Sequence, residues 1–136
     1  MQTRIIRQKA FFRGVQPMEL YEALINARKH AAFTGAAATS TARVGGKFTA
    51  WDGYIQGRHL ELEPGRRIVQ EWRTTEWPAE APPSRLEWRF QPKRGGTEMI
   101  LIHSQVPASQ AASYRQGWID YYWNPLKAYV ARRGKS

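Results

Sequence analysis

The sequence predicts an α+β fold: a curved antiparallel sheet of six to seven strands, two short helices, and one long C-terminal helix laid against the sheet. Three observations carry this reading. Between Lys47 and Val106, short apolar-rich runs are punctuated by turn dipeptides, Asp52-Gly53 and Pro64-Gly65, which supply the backbone angles of tight reversals. Leu86, Trp88 and Phe90 alternate with Glu87 and Arg89, so one face of that strand meets a core and the other meets water. From Ser109 to Arg132, successive steps of about 100° place Ala112, Ile119, Trp123, Leu126 and Val130 in one stripe, which is expected to face the sheet.

Taken in order, Thr3 to Phe12 reads as a first strand that turns at Arg13-Gly14. Pro17 then opens an amphipathic helix with Leu20, Ala23 and Leu24 on one face, because proline at a first helical position gives up an N–H that has no helical partner anyway. A second short helix over Arg28 to Phe33 stops at Thr34-Gly35, and Gly35 to Ser40 reads as loop. Strands follow at Lys47 to Trp51, Tyr54 to Glu63, Arg66 to Thr74, Arg85 to Pro92 and Thr97 to Val106, with a proline-rich loop at Pro78 to Pro83. Glu61 and Glu63 share one strand face, which assigns Leu60 and Leu62 to the buried one. Pro125 interrupts the last helix and is expected to kink it near Tyr121, whose carbonyl loses its donor.

At 136 residues, the chain matches one domain (1–136) that buries its own core. It holds no cysteine, which excludes disulfides and thiolate metal sites and fits a reducing compartment. Met1 to Phe12 alternate charged and apolar residues, so neither a secretion signal nor a membrane span is expected, and the address is cytoplasmic by default. Lys and Arg number 21 against 11 Asp and Glu, a net charge of +10. The cations are scattered, with groupings at Arg4, Arg7 and Lys9, at Arg85, Arg89, Lys93 and Arg94, and at Arg132, Arg133 and Lys135. None forms a recognition helix, so nucleic-acid binding is not expected.

Residues for a site come from the inward rows. Trp72, Trp88, Trp118 and Tyr122 are candidates to line an apolar pocket, joined by Phe90 and by the row of Met99, Leu101 and His103 on the following strand. His103 would orient a ligand or, in an enzyme, act as acid or base; Arg115, near the helix stripe, would meet an anionic head group. No catalytic set is assigned. His30, His59 and His103 stand on separate elements without ligand spacing, so no metal is expected, and Gly45-Gly46 and Gly95-Gly96 read as turns rather than phosphate loops, so no cofactor is expected either.

Several stretches resemble one family: Lys29-His30-Ala31-Ala32-Phe33-Thr34-Gly35, Val44-Gly45-Gly46-Lys47-Phe48, Ile68 to Arg73 followed by Trp77-Pro78, and Gly117-Trp118 with Tyr121-Tyr122-Trp123-Asn124-Pro125-Leu126. They are similar to the branch of the START-like (SRPBCC, helix-grip) superfamily named after the activator of the heat-shock protein 90 ATPase. The resemblance implies the helix-grip fold and a cavity between helix and sheet. Members of the superfamily commonly hold apolar ligands in that cavity, and with the grip helix and the inward ring residues this makes binding of a small apolar or aromatic ligand, as carrier or sensor, the expected function. A cyclase- or hydrolase-type enzyme using His103 and a chaperone-interacting module are the alternatives, and the chain is expected to be a monomer or homodimer.

Overall fold

The computed structural model describes residues 2–133; Met1 and Lys135, the latter counted above in the C-terminal basic grouping, lie outside them. Seven strands form one antiparallel sheet: β1 (Thr3–Arg13), β2 (Thr39–Ser40), β3 (Lys47–Ala50), β4 (Ile55–Glu63), β5 (Arg67–Thr74), β6 (Ser84–Lys93) and β7 (Gly96–Pro107). Their order is β1-β7-β6-β5-β4-β3-β2, a meander that returns the first strand to the side of the last. Helices α1 (Pro17–Ile25) and α2 (Ala27–Thr34) connect β1 to β2. The C-terminal helix comprises α3 (Ala111–Trp118), a π turn (Ile119–Trp123) and α4 (Asn124–Arg133), held against the inner face of the sheet. This is the α+β helix-grip architecture that the sequence predicts. Its seventh strand is β2, two residues long, inside the segment expected to be loop.

Local chemistry sets the element boundaries. Pro17 stands at the start of α1, where the Gln16 N–H donates to the Glu19 carboxylate at 3.2 Å. Asn26 ends α1 and caps α2, its side chain accepting from Lys29 N–H at 3.0 Å, and Gly35 leaves α2 with φ of 80°. At Gly57, opposite Phe48, a Cβ would lie 2.6 Å from the Phe48 ring and 2.0 Å from the Glu71 carbonyl, so only glycine fits.

The inner rows of the sheet run in register: Leu86 beside His103, Trp88 beside Leu101 and Phe90 beside Met99, continuing onto Ile6, Gln8 and Ala10 of β1. On the outer face, Glu87 is buried although it alternates with the core row, because Arg67, Arg85 and Arg89 close over it. Burial alone would raise its carboxyl; hydrogen bonds from those three arginines outweigh burial and lower it to about 2. Leu60 is exposed, contrary to expectation, because a register shift between His59 and Glu61 breaks the alternation there.

The predicted helix stripe requires a correction of one residue. Ile119 is 38% exposed and Ala112 is exposed, whereas Ala111, Tyr114 and Trp118 are buried; Trp123 at the end of the turn and Leu126 beyond it are buried as expected. Pro125 has no N–H to offer the Tyr121 carbonyl, and the helix absorbs this by a π turn, with Asn124 N–H donating to the Ile119 carbonyl. A π turn inserts one residue, so the face that continues Leu126 upstream passes through Trp118 and Ala111, one position before Ile119 and Ala112. Among the described residues, no helix is long and apolar enough to cross a membrane.

Candidate functional site

Between the C-terminal helix and the end of the sheet formed by β3, β4 and β5 lies a half-open cleft of about 470 Å³. Its floor is Trp72 from β5 and Trp118 from α3, with ring centroids 5.3 Å apart. Tyr122 and Tyr114 form the helix wall, together with Gly117 and Ser113. The opposite wall comes from the β3–β4 hairpin: Trp51, Tyr54 and Ile55. Trp51 and Asp52 both have positive φ (52° and 59°), a conformation rare for a bulky residue, and the hairpin sets the Trp51 ring edge-to-face against Tyr121 at 5.2 Å. Glu76, just past β5, supplies the carboxylate, which accepts a hydrogen bond from the Tyr54 hydroxyl.

Behind this cleft the rings are tied to buried polar groups whose partners fix the tautomers. The Trp118 indole N–H donates to His103 Nδ1 at 3.2 Å, so His103 carries its proton on Nε2 and donates to Ser84 Oγ at 2.8 Å; that hydroxyl donates to the Trp72 carbonyl at 2.7 Å. His30 Nδ1 donates to the Leu24 carbonyl at 3.1 Å, leaving Nε2 to accept from the Tyr122 hydroxyl at 2.9 Å. His59 Nδ1 accepts from Gln70 at 3.3 Å, and its Nε2–H faces Ser40 Oγ at 3.1 Å. All three rings are neutral: burial lowers His30 and His59 to about 4 and His103 to about 3. Burial likewise pushes the Tyr122 phenol up, so it remains a donor.

Of the residues singled out from sequence, Trp72, Trp118 and Tyr122 line the cleft. Trp88 instead borders a void of about 10 Å³ deeper inside, which Trp72, Trp118 and Tyr122 separate from the cleft. Phe90, Met99 and Leu101 are buried in the core away from both. His103 is fully buried with both ring nitrogens engaged and does not line the cleft, so the alternative in which it acts as acid or base has no open path to a substrate. Arg115 is exposed; the one-residue offset of α3 turns Tyr114 and Trp118 inward and Arg115 out, where its carbonyl accepts from Gln8 at 2.9 Å. Sequence reasoning did not bring in Trp51, Tyr54, Glu76, Tyr114 or Tyr121. A usable signal was present in Trp51-Asp52-Gly53-Tyr54, where large rings flank a turn dipeptide on both sides, since a solvated turn has no packing use for them.

A sheet gripping a C-terminal helix with a ring-lined cleft between them defines a helix-grip protein. Residues 15–131 match the family described as Activator of Hsp90 ATPase homolog 1-like protein, and the chain belongs to that family. It is 37% identical over 111 residues to human Activator of 90 kDa heat shock protein ATPase homolog 1, covering 82% of this chain and 32% of that protein. With the Dictyostelium discoideum homolog it shares 30% over 117 residues, 85% of this chain and 30% of the relative. The chain thus spans about a third of the length of these curated relatives. Among solved structures, an HSP90 activator from Plasmodium falciparum superposes with a TM-score of 0.83 at 22% identity, covering 96% of this chain and 97% of that one. The Aha1 dimer from Colwellia psychrerythraea gives 0.78 at 14%, covering 91% and 93%. At these identities, the structural likeness carries the fold.

Proposed function

We propose that this protein binds a small apolar or aromatic molecule in the cleft between α3, the π turn and the β3–β4 hairpin, as a carrier or sensor. The observation that carries the reading is the cleft itself: about 470 Å³, with seven of its eleven lining residues aromatic. Ligand sites are concave, mostly apolar and equipped with a few orienting polar groups, and Glu76 and Ser113 are such groups here. Thermal shift and tryptophan fluorescence against lipids and aromatic metabolites test it, because Trp51, Trp72 and Trp118 would all report an occupant. Gly117→Leu would place a side chain in the cleft from a helical position with no close neighbour and should abolish any shift. A full panel without a shift sinks the reading.

A second reading is a chaperone-interacting module, favoured by membership in a family whose relatives are described as activators of the 90 kDa heat shock protein ATPase. The ATPase rate of the host's own such chaperone, with and without the full chain, decides it; an unchanged rate and no co-sedimentation count against it. The Colwellia relative is a dimer in solution, so light scattering across concentration should accompany either assay. A cytoplasmic location is consistent with a chain that holds no cysteine.

A further inference from the structure

We infer that the cleft takes an organic cation, a small ligand headed by a quaternary or fully alkylated ammonium. This names the ligand class of the site proposed above and rests on that proposal. The chain holds 21 Lys and Arg against 11 Asp and Glu, yet none of those cations, and no histidine, lines the cleft. The one formal charge in its wall is the Glu76 carboxylate, and among the described residues no lysine or arginine lies within ion-pair distance of it. On a strongly basic surface, this is a local reversal of sign.

The rings complete the case. The Tyr54 hydroxyl is engaged by Glu76, that of Tyr114 by Thr74 and that of Tyr122 by His30, so these residues present mainly ring carbon to the cleft. Trp51 and Tyr121, in ring contact at 5.2 Å, stand at the mouth and Trp72 and Trp118, in ring contact at 5.3 Å, on the floor of the one cleft, so a guest is bounded on both sides by aromatic residues, whose quadrupoles attract a cation. An alkylated ammonium is weakly hydrated and covered in methyl groups, so it satisfies both the apolar wall and the quadrupoles of the rings. An anionic head would meet no cation there and would face Glu76. A neutral ligand would fill the volume but would gain nothing from the Glu76 charge or from the ring quadrupoles.

Paired titrations of the full chain by calorimetry and tryptophan quenching separate this from the broader reading. Choline is compared with 3,3-dimethyl-1-butanol, its carbon isostere, and benzyltrimethylammonium with benzyl alcohol. Each cation should bind about tenfold more tightly than its neutral partner. Glu76→Gln, at an exposed position, and Tyr121→Leu, at a residue 54% exposed, should each reduce that preference several-fold while leaving the fold intact by circular dichroism. Added salt should weaken the cations alone. If the neutral partners bind as tightly, or Glu76→Gln leaves the preference unchanged, the cation inference is overturned and the ligand cleft stands. If neither member of each pair binds at millimolar concentration while an apolar panel compound does, the result is the same. If nothing binds, both readings fall together.

Discussion

Both ends of the gripped helix carry clustered rings but differ in how completely the sheet covers them. At the sealed end, Trp88, Phe12 and Trp123 pack together with Leu126 under β1, β6 and β7, strands of 11, 10 and 12 residues. At the open end the sheet narrows to β3 and β2, of four and two residues, which do not reach round the helix. There Trp51, Trp72, Trp118 and Tyr121 border space instead of one another's full surface. Large aromatic side chains therefore mark the core only where long strands cover them; under short strands the same residue types become the wall of a cleft. Trp72, Trp118 and Tyr122 form the partition between the two ends: the Trp118 indole and Tyr122 hydroxyl bond to His103 and His30, and the Trp72 carbonyl accepts from Ser84.

Acid should break that partition, and this is the largest expected effect. His30 and His103, which hold the partition, and His59, stacked on Phe48 nearer the narrow side of the sheet, are held neutral by burial at about 4, 3 and 4, below the ordinary histidine value of 6.5. With folded values depressed, the unfolded chain binds protons first as pH falls, so the stabilisation is fully present above pH 6.5 and is lost between there and about pH 4 to 3. The sign is the same for all three rings, so their losses reinforce one another as pH falls through this range. Urea midpoints across this range measure it. Glu87, lowered to about 2, contributes above its usual 4.5 and is lost only below that pH. A flat profile from 6.5 to 4.5 followed by a drop would assign acid sensitivity to the arginine-covered outer face and not to the partition.

Trp88→Ala should follow at about 3–5 kcal/mol, since Trp88 is 2% exposed and touches the rings of Trp118, Tyr122 and Trp123. Tyr121→Ala, at the cleft mouth, should change stability by no more than about 0.5 kcal/mol. Equal effects in chemical denaturation would contradict the contrast between the ends. Gly57→Ala comes next at about 1–3 kcal/mol, because its Cβ would strike the Phe48 ring and the Glu71 carbonyl. It tests whether the narrow side of the sheet, though short, is tightly built; a neutral result would show that β3 yields freely.

The sealed end was legible in sequence because its signals are local. Alternation along Leu86, Trp88 and Phe90 reports one strand's core face without reference to any other element. The cleft is assembled from far-apart stretches: a hairpin turn at residues 51–54, the exit of β5 at Glu76, and the helix from Ser113 to Tyr122. No periodicity links these. The helix face failed for a different reason. Pro125 announced an interruption near Tyr121, and one is there, but a missing N–H can be absorbed by a bend or by a π turn. Only the π turn shifts the phase, and tertiary packing of Trp118 and Leu126 on the sheet decides between them. Ile119 was placed inward and Trp118 on the flank by that single residue.

A small effect of opposite sign bears most directly on why the open end is open. Gly117 lies within α3, where glycine is about 1 kcal/mol less favourable than alanine. At Gly57 the absence of a side chain is enforced by contact, whereas a Cβ on Gly117 would meet only the Tyr121 ring edge, at 3.8 Å. Its backbone is helical, so no positive φ demands glycine either. Gly117→Ala should therefore raise stability by up to about 1 kcal/mol, read as a higher denaturation midpoint, while narrowing the cleft by one methyl group and weakening whatever binds there. Gain of stability with loss of binding would mean that the helix carries an intrinsically unfavourable residue for the sake of the space beside it. A loss of stability would mean that the space is incidental and that Gly117 serves packing not visible in its contacts.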